Sequence, residues 1–256
     1  MKNKLLYFLL IVSGAWALLM ITHEIIGHGG MVLIVGGTPI GVDGMYFEHN
    51  LNEVSASGKR LVHAAGSISN IILALLCYLI YTRKQPSNFW IALFLWVTFS
   101  INLFHSGLYI AFGWLIHPGM DWAMIIRSLP NQNLSAGLIT VLGLSVAFFA
   151  AIASHRMAPV SLPFSRKRLY WLALVTCSLS AVVSSLLVPS EDKVMMLMGG
   201  IGNGFIFLSP MLILSFIKSK EKEQHDWNFN PPASLLISAG LLVLFYWFVM
   251  SPGIKF

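Results

Sequence analysis

Charge is what this sequence has least of. Lys, Arg, Asp and Glu make up 10% of its 256 residues, where soluble domains carry about a quarter. A chain so poor in charge has no polar face to turn to water on all sides. Cysteine is nearly absent too. Cys77 and Cys177 stand alone inside apolar runs, which excludes a disulfide framework and a zinc–thiolate site. Both read as small apolar residues of helices. Nothing in the pattern corresponds to a nucleic-acid module. What remains is apolar: 57% of the residues, with a mean hydropathy of +0.76. Stretches of about 20 apolar residues, enough to cross a bilayer as a helix, recur along the chain. A helix pairs its own backbone groups where lipid offers no partner.

The expected fold is therefore all-α, a polytopic transmembrane bundle of about seven spans. The first starts near Leu5 and ends around Gly36. Small residues of a signal-peptide cleavage site do not follow it; Thr22-His23-Glu24 does, so it reads as a retained span. Residues 36–60, with Gly36, Gly37, Pro39, Gly41, Asp43 and Gly44, read as a short hairpin or re-entrant loop. The second span runs roughly from Leu61 to Thr82 and the third from Asn88 to Trp114. Four more fall near 134–154, 168–188, 194–217 and 233–250. Residues 1–128 form one unit of three spans with the hairpin and the Asp121 segment; residues 129–256 add helices of unassigned role.

The basic residues set an orientation, because loops rich in Lys and Arg stay in the cytoplasm. With the N-terminus inside, the cytoplasmic side holds Lys2, Lys4, Arg83, Lys84, Arg156, Arg166, Lys167, Arg168, Lys218, Lys220 and Lys222. Lys59, Arg60, Arg127, Lys193 and Lys255 fall on the other side. The net charge of +6 thus reflects loop topology. The end of the first span and the loop after the third lie near the same, non-cytoplasmic face of a multi-pass protein of the plasma or inner membrane. Gly199 to Gly204, inside an apolar span, reads as a close helix contact. Tyr170-Trp171 and Tyr246-Trp247 read as interfacial anchors.

The chemistry concentrates in Thr22-His23-Glu24-Ile25-Ile26-Gly27-His28. Two histidines and an acid inside a span are costly and point to function. The pattern resembles the zincin motif, in which two histidines bind zinc and the Glu after the first activates water. Here the histidines are five residues apart rather than four. On a regular helix that sets them about 140° apart, too far to aim at one ion. One residue absorbed as a π-bulge at 24–28 would return them to one face, and Gly27 would ease it. The same spacing is similar to the His-Glu-x-x-Gly-His motif of the dipeptidyl peptidase III family, where it binds zinc. Asp121 is the only acidic residue between Glu53 and Glu191. His63 and His105 are alternative ligands, while His49, His117, His155 and His225 read as loop residues.

Two further segments carry a family resemblance. Ala65-Gly66-Ser67-Ile68-Ser69-Asn70-Ile71-Ile72-Leu73-Ala74 is similar to the Ala-Gly-Pro-x-x-Asn segment of the site-2 protease family, with Ser67 in place of proline. Asn102-Leu103, followed by Gly119-Met120-Asp121, resembles that family's third segment, which ends in an Asp ligand. The resemblance implies His23, His28 and Asp121 as ligands of Zn2+ and Glu24 as general base, with Asn70 positioning substrate or stabilising an oxyanion. It implies a membrane-embedded zinc metalloprotease hydrolysing peptide bonds of membrane-associated substrates by metal-activated water. The expected partners are the lipid bilayer and a membrane-protein or peptide substrate. That family's site is usually nearer the cytoplasm, unlike the basic-loop topology here. Two other readings stand beside it: a catalytically inactive relative acting as a binding or regulatory protein, and a transporter using intramembrane His, Glu and Asp.

Overall fold

Among the described residues, seven helical stretches are long and apolar enough to cross a bilayer: Asn3–Ile34, Ala56–Lys84, Phe89–Ile116, Gln132–Met157, Arg166–Leu187, Met196–Phe216 and Ala233–Met250. The computed structural model describes residues 2–161, 164–190, 193–217 and 226–256. Glu191, Lys218, Lys220, Lys222 and His225, used above, lie outside the described residues.

The first span is one rod in three parts: α1 (Lys2–Ile21), a π-helical segment π1 (Thr22–Gly29) and α2 (Gly30–Ile34). A hairpin follows, β1 (Thr38–Val42) and β2 (Phe47–Asn50), antiparallel with a register shift between Pro39 and Gly41. Its turn is closed by Asp43, whose Oδ1 accepts from the Met45 and Tyr46 amides at 2.7 and 2.9 Å. That side-chain turn is what aspartate does well.

α3 (Ala56–Lys84) begins five residues before the sequence pattern suggested, because Ser55 caps it by accepting from the Gly58 amide. α4 (Phe89–Ile116) is capped by Asn88, which accepts from the Trp90 and Ile91 amides. A turn leads to α5 (Asp121–Arg127), then α6 (Gln132–Met157) and α7 (Arg166–Leu187). The sixth span is broken into α8 (Lys193–Ile201), π2 (Gly202–Ile206) and α9 (Ser209–Phe216). The seventh is α10 (Ala233–Leu244) continued by π3 (Phe245–Met250), and β3 (Ile254–Lys255) completes the sheet in the order β2-β1-β3.

α4 is the central helix. Its most apolar stretch is 83% buried, against 28% for α6 and 22% for the seventh span, which present most of their surface outward. The sheet pairs a strand after the first span with one after the seventh, Val42 opposite Ile254. The six crossings between them, an even number, put both on one face, as the contact requires. The hairpin is seated on the bundle at Gly44, whose carbonyl accepts from the Tyr246 hydroxyl at 2.9 Å. A Cβ there would lie 2.7 Å from Ser251 Oγ. At the opposite, basic end, Phe89 packs on Phe164 and Phe229 with ring centroids 5.2 and 5.0 Å apart.

The structure corrects two sequence readings. Tyr170 and Tyr246 are not interfacial anchors but are 0% and 1% exposed, because their hydroxyls find partners inside, Ser154 and Gly44 respectively. His49 is on β2 rather than in a loop. The glycines of the sixth span do pack closely: a Cβ on Gly204 would lie 2.7 Å from Ser178 Cα of α7.

Candidate metal centre

The five-residue spacing of His23 and His28 is resolved by the backbone. In π1 the hydrogen bonds skip five residues, so five residues complete roughly one turn. The two rings therefore leave the same side of the rod, with centroids 4.9 Å apart. The distortion spans Thr22–Gly29, wider than the bulge over 24–28 that the sequence called for. It is braced from α3, where the Ser69 hydroxyl donates to the Thr22 carbonyl at 2.9 Å. Gly27 is where the helices cross: a Cβ there would lie 2.7 Å from Gly66 Cα and 2.8 Å from the Ala65 carbonyl. Small residues let two backbones meet this closely.

Asp121 arrives from the other side, in the first turn of α5. Its Oδ2 lies 3.3 Å from His28 Nε2 and 3.9 Å from His23 Nε2. The three ligand atoms all fall within 4.8 Å of one another. Tetrahedral bonds of about 2.0–2.1 Å would set ligand atoms roughly 3.3 Å apart, so the cluster is near the span of a single ion. Gly66 forms its floor. A Cβ on Gly66 would lie 2.5 Å from His23 Nε2 and 2.6 Å from His28 Nε2, so any side chain would fill the place where the nitrogens converge.

The surrounding bonds orient the three side chains. His28 Nδ1 lies 2.8 Å from the Val62 carbonyl; a carbonyl only accepts, so Nδ1 carries a proton and Nε2 is the nitrogen turned toward the cluster. The Asn70 amide sits 3.1 Å from His23 Nδ1 through Nδ2, while its Oδ1 is buried without a partner. A half-turn of that amide would place Oδ1 to accept from Nδ1–H and would leave His23 Nε2 free to bind. Asn70 is thus engaged with a ligand histidine in this structure, not exposed toward substrate. Asp121 is held at both oxygens. Tyr109 donates to Oδ2 at 3.0 Å and accepts from the Asp121 amide at 3.3 Å, and His63 Nδ1 lies 3.1 Å from Oδ1. Burial by itself would raise the Asp121 carboxyl, but the neighbouring His28, with the hydrogen bonds around the carboxylate, holds it well below the usual range. Ionised, it is the ligand form.

No known protein family, curated protein or solved structure matches this chain. The geometry alone carries the functional reading.

Two nitrogens and one carboxylate oxygen, with ring orientations already set, form a donor set that fits a divalent metal with a position left open. Glu24, next to His23 on π1, is 4% exposed and belongs to none of the ion pairs among the described residues. Neither alternative ligand joins the cluster: His63 binds the carboxylate from outside, and His105 Nε2 faces Asn203 at 3.3 Å. Ser67 accepts from the Trp122 indole at 3.1 Å, tying α3 to α5 beside Asp121, a bond that proline at this position could not form. Tyr109, Gly66 and the Val62 carbonyl were not legible in advance. A tyrosine in a span carries no ligand signature, and a carbonyl carries no sequence signal.

His63 would act on a metal held here through Asp121, whose Oδ1 lies 3.1 Å from its Nδ1. His63→Ala is expected to weaken metal affinity by roughly 10–100-fold, the range for residues that orient a ligand, read by competition with a chromogenic chelator. Unchanged affinity would remove His63 from the site.

Proposed function

We propose that this protein is a membrane-embedded zinc metalloprotease related to the site-2 proteases, cutting membrane-associated substrates at a site near the non-cytoplasmic face. The observation that carries the reading is the convergence of His23, His28 and Asp121 with Glu24 beside them. The extra residue in the motif, its main departure from the zincin pattern, is absorbed by π1. The donor set favours zinc, which accepts two imidazoles and a carboxylate and keeps one position for a reactant. Zinc bound there supplies a Lewis acid that brings the pKa of a water toward about 7 and polarises a peptide carbonyl.

The chain's own residues do the rest. Glu24 is the general base, taking the proton from the attacking water and delivering it to the departing amine. Asn70 and the Val62 carbonyl hold the two rings; Tyr109 and His63 hold Asp121. The hairpin, whose Phe47 packs on Gly29 of π1, and α5, which carries Asp121, lie on the face that the basic-loop bias assigns to the non-cytoplasmic side. The inactive-relative reading is disfavoured because each ligand is oriented by a partner of its own. The transporter reading gives Glu24 no reason to stand next to a ligand histidine.

Metal removal tests the reading. The protein, purified without chelator and reconstituted, is expected to carry about one zinc per chain and to cleave one or more of a panel of single-span reporter peptides. 1,10-Phenanthroline should abolish cleavage, and stoichiometric zinc should restore it. Cleavage indifferent to the chelator, or a protein metal-free as isolated, would defeat the proposal.

A further inference from the structure

Nine buried side-chain polar atoms have no hydrogen-bond partner among the described residues, and five of them lie together on one seam. They are Trp16 Nε1 on α1, which also lies beside the Tyr246 hydroxyl, and Thr98 Oγ1, Asn102 Oδ1, His105 Nδ1 and Ser106 Oγ on α4. These residues are between 0% and 3% exposed. At about 100° per residue, positions 98, 102, 105, 106 and 109 fall within an arc of about 100° on α4. The seam faces α1, with the Trp16 and His105 rings 6.3 Å apart. It also faces π2, where His105 meets Asn203. It ends at the metal centre: the His105 ring lies 5.9 Å from that of His23 and 5.8 Å from that of Tyr109.

The opposite face of the same helix shows how such atoms are usually treated. Trp96 Nε1 donates to the Ser154 carbonyl at 2.9 Å, and Ser100 Oγ reaches the Trp96 carbonyl and Ser154 Oγ, each at 2.7 Å. Every polar atom named there is paired within the protein. A buried polar group without a partner is costly to leave so, and the hydrocarbon around the bundle provides none. Five along one seam of about 12 Å call for ligands.

The chemistry of the five atoms identifies them. The indole N–H only donates, the amide oxygen only accepts, His105 Nδ1 accepts because Nε2 gives its proton to Asn203 Oδ1, and the two hydroxyls do either. A cation would meet the indole proton, and an anion would meet the amide oxygen. Only a small neutral molecule that both donates and accepts suits all five, and buried water with two to four such partners is the ordinary case. We propose that the α1–α4 seam is a water-binding site: a file of ordered water molecules joins Thr98, Asn102, Ser106, Trp16 and His105 and reaches the metal centre past His105. For a hydrolase, the seam would hold the co-reactant inside the bundle. The water file itself stands on the seam and not on the protease reading.

The test is water-edited solid-state NMR on the full chain, isotope-labelled and in lipid bilayers. Magnetisation from water is expected to reach the Trp16 indole, the Asn102 amide and the His105 ring severalfold faster than the equally buried Trp96 indole. Transfer to the seam as slow as to Trp96 would show it dry and overturn the proposal. Asn102→Leu should slow transfer at Trp16 and His105 to the Trp96 rate. Thr98→Val, a closer match in shape, should do so in part and serves where the leucine variant does not fold. Unchanged transfer in a folded variant would also overturn the proposal. The wild-type comparison repeated on chelator-treated protein reads the seam whatever becomes of the metal assignment.

Discussion

Asp121→Ala is expected to leave the purified protein without metal. The carboxylate is the only acidic ligand of the cluster, and its Oδ2 stands 3.3 Å from His28 Nε2. Without it, two imidazoles remain to hold an ion that prefers at least three protein ligands. The loss should exceed the 10–100-fold expected for the orienting residue His63 and should read as under a tenth of the wild-type zinc by elemental analysis. The same deletion removes the partner of Tyr109 and His63, so a folding control is needed. Asp121→Asn keeps the shape while removing the charge and turning one accepting oxygen into a donor, and it too should lose most of the metal. Full zinc occupancy in either folded variant would mean that Asp121 is not a ligand.

Glu24→Gln is expected to separate binding from turnover. Glutamine matches glutamate in size but cannot take a proton from water. A general base typically contributes about 10²–10⁴ in rate, so cleavage of a susceptible reporter should fall by that factor with zinc content unchanged. That combination distinguishes the base from a ligand. A variant that loses zinc together with activity would make Glu24 a fourth ligand. A variant that keeps both would leave the protein without its proposed base.

How much of this was legible in the sequence follows from the range of each interaction. The spans were legible because hydrophobic length is a local property: the runs near 88–114 and 134–154 become Phe89–Ile116 and Gln132–Met157. Their ends moved where a cap decided them, as at Ser55 and Asn88. The need for a π-distortion at the motif was also legible, since five residues on a regular helix cannot aim two rings at one ion. Its extent was not, because π1 is supported from α3 by Ser69 and by the Gly27–Gly66 contact, and neighbours on another helix leave no trace in the motif.

The anchoring role read for Tyr170 and Tyr246 fails for a related reason. Aromatic residues near span ends are common at interfaces, yet these two hydroxyls are matched to Ser154 and Gly44 by tertiary packing alone. The same holds for β3, whose pairing with β1 joins segments separated by more than two hundred residues.

The sequence by itself determined that the chain forms apolar helices long enough to cross a bilayer, and that its few intramembrane charges gather at His23, Glu24 and His28. Both follow from the cost of placing polar groups in hydrocarbon, which acts residue by residue. Only the tertiary structure decided that Asp121 comes to those histidines, that Val62, Asn70, Tyr109 and His63 orient the cluster, and that Gly66 leaves room beneath it. Those outcomes depend on how α3, α4 and α5 pack on π1, and packing is fixed by shape and partner at each crossing, not by composition along the chain.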